Sequence, residues 1–463
     1  MFLDREDEIN IIDKIYQSEG ASLVVLYGRR RIGKTELCYH LIRKYSGLYF
    51  LFYSSNLNRL LDNFAETMYH AGTLPVKPSI KNFREFFVLL SEISQSRKIL
   101  VVIDEFQRGT DLDKDLNIEL QALWDQTLSK SQIKLILTGS AVGVIESNLL
   151  SHSSPLYGRR TAQLKMKPLS FKSAVPFFKD MDAEDMVRAF SVYGGTPMYL
   201  LNYDPKLTLQ RNIKTSILNK MSLLFQEPLF ILSENTREPM RYLDILENMA
   251  SGASTLSEIG NKAGINQTEI PKYMHYLTEG LDIVERHYPI FEYGKRGRTR
   301  YRIADNFFRF WFKFIRDKVP MIEFGLSDEV SDVIMRGLDE YVSKIFEDIC
   351  IEHIATMVRT KSISATDIGR WWFRETEIDA VAVDSRSQTV YFSESKWTNK
   401  KVGRDTLNEL IKKSELFPWY KKRRNDKYII YSRSGFSFSD DEALLIDLKK
   451  IVNDLIRDKA PSF

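Results

Sequence analysis

The stretch that decides the fold runs from Ser22 to Thr35 and reads SLVVLYGRRRIGKT. Its first seven residues form a short apolar run that ends in a glycine, as a buried strand does before a turn. Residues 28–35 then match the spacing GxxxxGK[ST], in which glycines let consecutive backbone N–H groups curl around phosphate oxygens. Helical spacing follows over Lys34–Tyr45. A strand, a glycine-containing loop and a helix in this order predict a phosphate-binding loop.

The residue types in this loop indicate ATP and Mg²⁺ as its cofactors. A lysine at the position of Lys34 supplies a positive charge to the β- and γ-phosphates, and the hydroxyl of Thr35 is a ligand for Mg²⁺. The start of the following helix adds the positive end of its dipole. The nucleotide contacts expected here are Gly28, Arg29, Arg30, Arg31, Ile32, Gly33, Lys34, Thr35 and Glu36.

Four further apolar runs follow in the first half of the chain, and helical segments separate them. Strands that alternate with helices predict an α/β fold with a parallel sheet and helices on both faces, the three-layer arrangement of P-loop NTPases. Ligands of such sheets bind beyond the carboxyl ends of the strands. The five predicted strands are residues 22–28, 48–54, 99–105, 134–140 and 161–167.

Two of these strands end in polar residues that suit ATP hydrolysis. The run ILVVIDE ends in Asp104, which we expect to hold the water shell of Mg²⁺, and Glu105, which we expect to polarise the attacking water. The run LILTGS ends in small polar groups. Thr138 or Ser140 could sense the γ-phosphate, and a plain strand end is the alternative.

The composition excludes several other classes of protein. The chain has 463 residues, 43% of them hydrophobic and 28% charged, which is an ordinary globular mixture and excludes a disordered or fibrous chain. A net charge of +4 means that any nucleic-acid surface is a local patch. Two distant cysteines and six scattered histidines provide neither a disulfide framework nor a zinc signature. No apolar run is long enough for a membrane span, so we expect a soluble, cytoplasmic protein without a membrane partner.

Together, an ordered set of motifs resembles the archaeal-type ATPase family, an AAA-like branch of the P-loop ATPases related to the signalling NTPases. The matching segments are FLDREDEI, GRRRIGKTEL, VVIDEFQ, LTGS, PLYGRRT at 155–161 and YGGTPMYL at 193–200. The resemblance implies an extra strand between the phosphate-loop strand and the strand that ends in Asp104. It also implies that Arg159 or Arg160 reaches a γ-phosphate, in its own subunit or in that of a neighbouring copy, and that Pro197 approaches the adenine. A surface basic pair and a plain turn are the respective alternatives.

After the ATPase segment, residues 236–303 predict three helices and a hairpin, the arrangement of an α+β winged helix. The hairpin strands are expected at 281–287 and 300–303. Five basic residues lie in the nine-residue segment GKRGRTRYR between and within them, namely Lys295, Arg296, Arg298, Arg300 and Arg302. A basic hairpin beside a recognition helix suits DNA phosphates, so DNA is the predicted partner. Winged helices also dock proteins, and that alternative stays open.

The last third of the chain contains a second group of catalytic residue types. Residues 369–384 and 389–397 predict two strands, with Asp379 on the first and Glu394 and Lys396 on the second. Residues two apart on a strand point to one face, so these acids and the lysine could bind Mg²⁺ and activate a water for phosphodiester attack. Helical spacing over 333–358 precedes them.

This region is similar to the domain often fused to archaeal-type ATPases, which resembles restriction-endonuclease-like PD-(D/E)xK nucleases. The resemblance implies an α/β nuclease-like domain in which Glu347, Asp379 and Glu394 are metal ligands and Asp379, Glu394 and Lys396 are catalytic. Ile378 stands where a strict motif has proline. The alternative is a salt-bridged strand pair in a degenerate module.

These observations predict four regions: an ATPase core at 1–205, a helical lid and winged helix at 206–305, linker helices at 306–335 and a nuclease-like domain at 336–463. Two functions fit them. The chain is either an ATP-hydrolysing protein that acts on DNA through a metal-dependent nuclease domain, or an ATP-switched regulator that binds DNA or protein without cutting. Assembly into a homo-oligomer is compatible with both.

Overall fold

The computed structural model describes residues 5–294, 297–421 and 423–458. Contacts divide the chain into two compact units. Unit 1 takes the chain up to Pro168 together with residues 275–282, and unit 2 takes residues 169–274 and 283–463. The boundaries predicted at 205, 305 and 335 do not coincide with these limits, and the four-region division stays a prediction.

Unit 1 contains the predicted parallel sheet. Its strands are β1 (Ser22–Tyr27), β2 (Leu48–Leu51), β3 (Ile99–Asp104), β4 (Ile133–Gly139) and β5 (Ala162–Lys165). Its helices are α1 (Glu6–Gln17), α2 (Lys34–Tyr45), α3 (Leu57–His70), α4 (Phe83–Ser96), α5 (Gly109–Leu112), α6 (Leu116–Gln126) and α7 (Val142–Ile145). All strand pairs are parallel, in the order β2-β3-β4-β1-β5. Strand β4 is therefore the extra strand between β1 and β3, as the resemblance implied.

Alternating residues of the central strands enter two separate cores. Leu23 and Val25 of β1 pack in the core that includes residues of α3, α4 and α6. Val24 and Leu26 pack in the core that includes residues of α1 and α2. Because successive side chains of a strand point to opposite faces, both faces of this sheet are covered by helices. The three-layer α/β prediction is confirmed for this unit.

Unit 2 is mostly helical in its first part and contains a hairpin and a mixed sheet. Its helices are α8 (Phe171–Ala174), α9 (Ala183–Tyr193), α10 (Pro197–Leu200), α11 (Leu209–Asn212), α12 (Glu227–Asn235), α13 (Pro239–Ala250), α14 (Leu256–Lys262), α15 (Ile270–His275, whose last residue enters unit 1), α16 (Asn306–Phe314), α17 (Val319–Glu323), α18 (Ser327–Arg359), α19 (Arg404–Ser414) and α20 (Leu448–Arg457). Its strands are β6 (Val284–His287), β7 (Arg300–Ile303), β8 (Asp367–Phe373), β9 (Thr376–Asp384), β10 (Thr389–Lys396), β11 (Asn425–Ser432) and β12 (Ala443–Asp447).

Helices α13, α14 and α15 precede the antiparallel hairpin β6–β7, which we call the basic hairpin and which covers residues 284–303. A capping box fixes the start of α14. The Thr255 side chain accepts a hydrogen bond from the backbone N–H of Glu258, and the Glu258 side chain accepts one from the backbone N–H of Thr255. The helices and the hairpin lie where the sequence predicted them. Their assignment as a winged helix stays a prediction.

One strand prediction in the last third is wrong. Residues 369–384 form two antiparallel strands, β8 and β9, and not one. The chain reverses at Arg374, whose φ of +54° is a turn conformation, and at Glu375. The turn lies in the polar stretch RETE at 374–377, and neither turn residue is a glycine or a proline that would mark it in the sequence. The sheet order is β12-β11-β10-β9-β8, with β10, β11 and β12 parallel.

Candidate functional sites

The predicted phosphate loop connects β1 to α2 in a conformation that its glycines permit. Gly28 and Gly33 have φ values of +149° and +93°, which favour glycine. A Cβ atom on Gly28 would lie 2.4 Å from the backbone oxygen of Met166, so a larger residue does not fit there. Arg31 has a φ of +71° between these two glycines. The backbone conformation of the loop therefore depends on these glycines, as the motif requires.

Lys34 lies inside this loop. Its Nζ donates hydrogen bonds to the carbonyl oxygens of Gly28 at 2.8 Å and Arg29 at 2.7 Å. Burial lowers the pKa of Lys34 to about 8, although the carboxylates of Glu105 and Asp104 oppose this shift. The lysine side chain is therefore held in the loop by neutral oxygen atoms, which phosphate oxygens can replace.

Asp104 is the best-connected polar side chain of the site. Its carboxylate accepts hydrogen bonds from the Thr35 hydroxyl at 3.1 Å, the Tyr49 hydroxyl at 2.6 Å, the Thr138 hydroxyl and the backbone N–H of Glu105 at 2.9 Å. Strands β2, β3 and β4 end side by side, which brings Tyr49 and Thr138 to the acid at the end of β3. The predicted ligands Thr35 and Asp104 are in direct contact.

Glu105 follows Asp104 and has a φ of +56°, so the chain turns at this residue. Its carboxylate accepts hydrogen bonds from the Ser140 hydroxyl at 3.0 Å and the Gln107 side-chain amide at 2.5 Å. Arg108 lies 3.9 Å from the same oxygen. Glu105 is therefore fixed in orientation by Ser140, one of the two predicted sensors, while the other, Thr138, holds Asp104.

Sequence reasoning missed Tyr49 and Gln107. Tyr49 is on β2, and only the strand order places β2 next to β3. Burial and the hydrogen bond to Asp104 raise the pKa of Tyr49, so this hydroxyl remains a donor. Gln107 was visible in the segment VVIDEFQ, but nothing in its spacing indicated that the side chain turns back to Glu105.

The structure pairs Arg159 and Arg160 with other groups of unit 1. Arg159 donates to both carboxylate oxygens of Asp125, at 2.7 and 2.6 Å. Arg160 donates to Gln163 at 2.7 Å and lies over the ring of Tyr157. Their role toward a γ-phosphate stays a prediction.

The segment YGGTP lies in unit 2. Pro197 is the first residue of α10, where its fixed φ suits a helix start. Gly195 accepts a hydrogen bond from Leu169 at 2.7 Å, and a Cβ on it would lie 1.8 Å from the Leu169 oxygen. The backbone of Leu169 therefore lies so close that only glycine fits at position 195. Adenine contact by Pro197 stays a prediction.

The acids of the last third lie at one end of the β9–β10 strand pair. These strands pair from Asp384 opposite Thr389 to Ala380 opposite Ser393, so Asp379 and Glu394 are the next residues on each strand. Burial, Glu347 and Glu394 raise the pKa of Asp379 to about 7. The backbone N–H and the hydroxyl of Ser395 both donate to Asp379 at 2.8 Å. The predicted acids are thus electrostatic neighbours.

Each of the other two acids is paired with cations of unit 2. Glu394 accepts from Lys396 at 2.8 Å and from Lys413 of α19 at 2.9 Å. Glu347 accepts from Arg370 at 2.7 Å and from Lys344 at 2.9 Å. Among the described residues, no group of three or more histidine, cysteine, aspartate or glutamate side chains is arranged to hold a metal ion. Metal binding by Glu347, Asp379 and Glu394 stays a prediction.

Arg298, Arg300 and Arg302 of the basic hairpin contact α18 or the β8–β9 hairpin. Arg298 lies over the ring of Phe373, with its guanidinium carbon 4.8 Å from the ring centre. Arg300 pairs with Glu377 at 3.0 Å and lies over Trp372. Arg302 donates to Asp348 at 2.7 Å. Lys295 and Arg296, also predicted to bind DNA, lie outside the described residues.

Comparisons with known proteins agree with the geometry of the first site. A family profile described as an ATPase domain predominantly from Archaea matches residues 2–203. An uncharacterized protein of Methanocaldococcus jannaschii is 31% identical over 97% of this chain and 99% of its own length. The chain belongs to the archaeal-type ATPase family. The match to an ATPase domain is evidence that this chain binds or hydrolyses ATP. A second profile, described as archaeal and bacterial proteins of unknown function, matches residues 311–408 of this ATPase.

Among solved structures, a Walker-type ATPase of Pyrococcus abyssi has the same fold as 67% of this ATPase and 96% of its own chain, with 21% identity and a TM-score of 0.53. The ORC2 protein of Aeropyrum pernix matches 72% of this chain and 95% of its own, with 14% identity and a TM-score of 0.47. No helix in the described residues has the length and apolar character needed to cross a membrane.

Proposed function

We propose that this ATPase hydrolyses ATP with Mg²⁺ held by Thr35 and Asp104, and that it uses the nucleotide cycle to act on DNA. The observation that carries the hydrolysis step is the direct contact between the Thr35 hydroxyl and the Asp104 carboxylate at 3.1 Å. A hydroxyl and a carboxylate are the oxygen ligands that Mg²⁺ uses beside phosphates, so the residues fit the ion. When bound, Mg²⁺ neutralises charge on the phosphates.

The residues around the ion have separable roles. Lys34 exchanges the carbonyl oxygens of Gly28 and Arg29 for phosphate oxygens. Glu105 orients the attacking water and accepts its proton. Ser140 and Gln107 hold the Glu105 carboxylate in one orientation. Binding and hydrolysis therefore depend on different side chains.

This separation can be tested with Glu105→Gln, which keeps the size of the side chain and removes the base. We expect ATP to bind as tightly as in the wild type, and hydrolysis to slow by about 10²- to 10⁴-fold, the range that a general base contributes. Glu66→Gln, which makes the same change at an acid of α3 that pairs with Lys77 at 3.2 Å, is the matched control. Unchanged turnover in Glu105→Gln would exclude Glu105 as the base.

A second candidate function, metal-dependent cleavage of DNA, is supported by the acids at the end of the β9–β10 pair. Asp379 and Glu394 are adjacent, and Lys396 is two residues beyond Glu394. A carboxyl whose pKa is strongly raised beside other acids is a common feature of catalytic sites. Carboxylate oxygens fit Mg²⁺, provided that the ion displaces the lysines from Glu394. If the lysines stay, the region is a binding module, and the protein is the regulator described above.

Cleavage of plasmid and single-stranded DNA by the full chain decides between these two candidates. The wild type should cut with Mg²⁺ or Mn²⁺ and not with EDTA, and Asp379→Asn should abolish cutting while leaving ATP turnover without DNA intact. Asp384→Asn, at the other end of β9, is the matched control. Absence of cutting by the wild type, with or without ATP, would favour the regulator.

A further inference from the structure

The described arginines of the basic hairpin contact other residues of unit 2. A wing that only binds DNA does not need such contacts. Arg298, Arg300 and Arg302 alternate along the chain and therefore lie on one side of the extended segment that leads into and along β7. The exposed fractions of their side chains are 27%, 31% and 21%. Other residues of the chain therefore cover a large part of each of these side chains.

Arg298 and Arg300 both contact the β8–β9 hairpin, although Arg298 also pairs with Glu292 of the basic hairpin itself at 3.3 Å. Arg298 donates to the backbone oxygen of Trp372 at 3.4 Å and lies over Phe373. Arg300 lies 4.6 Å from the ring centre of Trp372 and pairs with Glu377. These contacts combine charge attraction with cation–π attraction. They attach β7 to the β8–β9 hairpin.

The segment between β6 and β7 adds contacts with the same surface. The backbone N–H of Ile290 donates to the Arg370 oxygen at 2.8 Å, which pairs the hairpin with β8. The ring of Phe291 is stacked with that of Trp419, with centres 6.2 Å apart. The docked hairpin is thus held by backbone, aromatic and ionic contacts, in which the side chains of Arg298 and Arg300 are partly exposed and that of Trp372 is buried.

The docked hairpin also reaches the acids of the candidate nuclease site through shared ion pairs. Arg302 and Arg370 both donate to Asp348, at 2.7 and 2.8 Å. The second carboxylate partner of Arg370 is Glu347, at 2.7 Å. These arginines hold the pKa of Asp348 well below its usual range, despite burial. If Arg302 leaves, Asp348 attracts Arg370 more strongly, and Arg370 holds Glu347 less.

We propose that the basic hairpin is a latch: it docks on the β8–β9 hairpin through Arg298 and Arg300 and on α18 through Arg302, and it is released when the phosphates of duplex DNA compete for these arginines. The latch depends on the proposed function, the action on DNA, and describes how that action is regulated. DNA phosphates suit this role because each arginine exchanges one partner, Trp372, Glu377 or Asp348, for a phosphate oxygen of the same or greater charge. Release loosens the Arg370–Glu347 pair, so DNA binding prepares the acidic site.

A disulfide across the docked surface tests the latch in the full chain. A Cβ on Gly369 would lie 3.2 Å from the Cβ of Ile290, close to the separation of about 3.5–4.5 Å in disulfides. The double variant Ile290→Cys, Gly369→Cys therefore closes the latch when oxidised and frees it when reduced. The natural cysteines, Cys38 and Cys350, are buried and do not compete. The single variant Ile290→Cys is the control for oxidation itself.

The expected result is weaker binding of duplex DNA by the oxidised double variant than by the same protein after reduction. Three lost phosphate contacts reduce the slope of log affinity against log salt by about 2.7. ATP hydrolysis without DNA should be equal in both states. Equal affinity and slope in the two states would overturn the latch and leave action on DNA standing. Absence of DNA binding by the wild type and by both states would overturn the latch together with the proposed function.

A pair of charge-matched variants tests the same idea without a new bond. Glu377→Gln removes the intrachain partner of Arg300, and Glu375→Gln removes one negative charge from the nearby turn. If docking and DNA compete, Glu377→Gln should bind duplex DNA about two- to fivefold more tightly than Glu375→Gln does, the effect of one partly exposed ion pair. Equal affinities of the two variants would overturn the latch.

Discussion

At the scale of single residues, we expect Lys34 to decide whether nucleotide binds. It lies at the start of α2, and its ammonium donates hydrogen bonds to the carbonyl oxygens of Gly28 and Arg29. An ammonium paired with phosphate oxygens is a charge-assisted contact, stronger than one between neutral groups. The positive end of α2 alone cannot compensate for its loss.

We therefore expect Lys34→Ala to weaken ATP binding by at least about 10- to 100-fold, the value of one hydrogen bond to a charged group. Lys44→Ala is the matched control, because Lys44 is on the same helix and pairs with Asp13 at 2.5 Å. It should retain the affinity of the wild type in a titration with a fluorescent ATP analogue. Equal loss in both variants would indicate a general effect on α2 instead.

Also at the residue scale, Tyr49 should contribute to catalysis by fixing Asp104. Tyr49→Phe removes only the hydroxyl that donates to Asp104 at 2.6 Å. We expect the concentration of Mg²⁺ that gives half-maximal ATP turnover to rise, since Asp104 then has more freedom. Tyr39→Phe, which changes the neighbouring ring, is the control. No change in the Mg²⁺ requirement would make Tyr49 a packing residue only.

At the scale of elements, a buried histidine joins three parts of the last third. His353 of α18 shares one hydrogen bond with the Tyr431 hydroxyl of β11, at 2.9 Å, and another with Asp454 of α20, at 3.2 Å. Burial lowers the pKa of His353, and the nearby Asp454 opposes this while Lys450 adds to it. The neutral ring is therefore the form that the folded protein prefers.

This arrangement predicts a pH dependence of stability. A histidine whose pKa is lowered on folding contributes stability above its unfolded pKa of about 6.5, and this contribution is lost as the pH falls. Between pH 7 and pH 5 the free energy of unfolding of the wild type should decrease more than that of His353→Asn, as measured by urea denaturation. His70→Asn, at an exposed histidine, should behave like the wild type. Parallel pH profiles for all three proteins would contradict the role of His353.

At the scale of the whole molecule, unit 1 is built from two separate pieces of chain. Residues 275–282 belong to it although the chain on both sides belongs to unit 2. Asp282 pairs with Lys165 at 2.9 Å, and a Cβ on Gly143 would lie 2.8 Å from the Cα of Gly280. The short segment is thus packed against α7 and β5.

A fragment of residues 1–168 should consequently melt at a lower temperature than the same fragment joined to residues 275–282 by a flexible linker. The added segment buries the surface of α7 and restores the Lys165–Asp282 pair. Trp124 is the one tryptophan in either sequence, so its fluorescence reports both melting curves. The fusion with Asp282→Ala is the control for the ion pair. Identical melting temperatures with and without the segment would show that unit 1 does not need it.

The sequence by itself determined the five strands of unit 1, the phosphate loop and the two acids at the end of β3. These are local features: a strand is recognised by its apolar run, and the loop by glycines whose positive φ no larger residue adopts easily. The extra strand of the sheet came from the family resemblance, because the order of strands depends on contacts between residues far apart in the chain.

Only the tertiary structure decided which side chains meet. Tyr49 reaches Asp104, and Lys413 reaches Glu394, because separate elements end or pack side by side. The turn at Arg374 has no glycine or proline to mark it, so the sequence predicts one strand where the structure has two. The basic hairpin carried the clearest charge signal, yet a run of arginines specifies attraction to anions and not which anions. Their partners in α18 and the β8–β9 hairpin are set by folding, since those residues lie more than forty positions away along the chain.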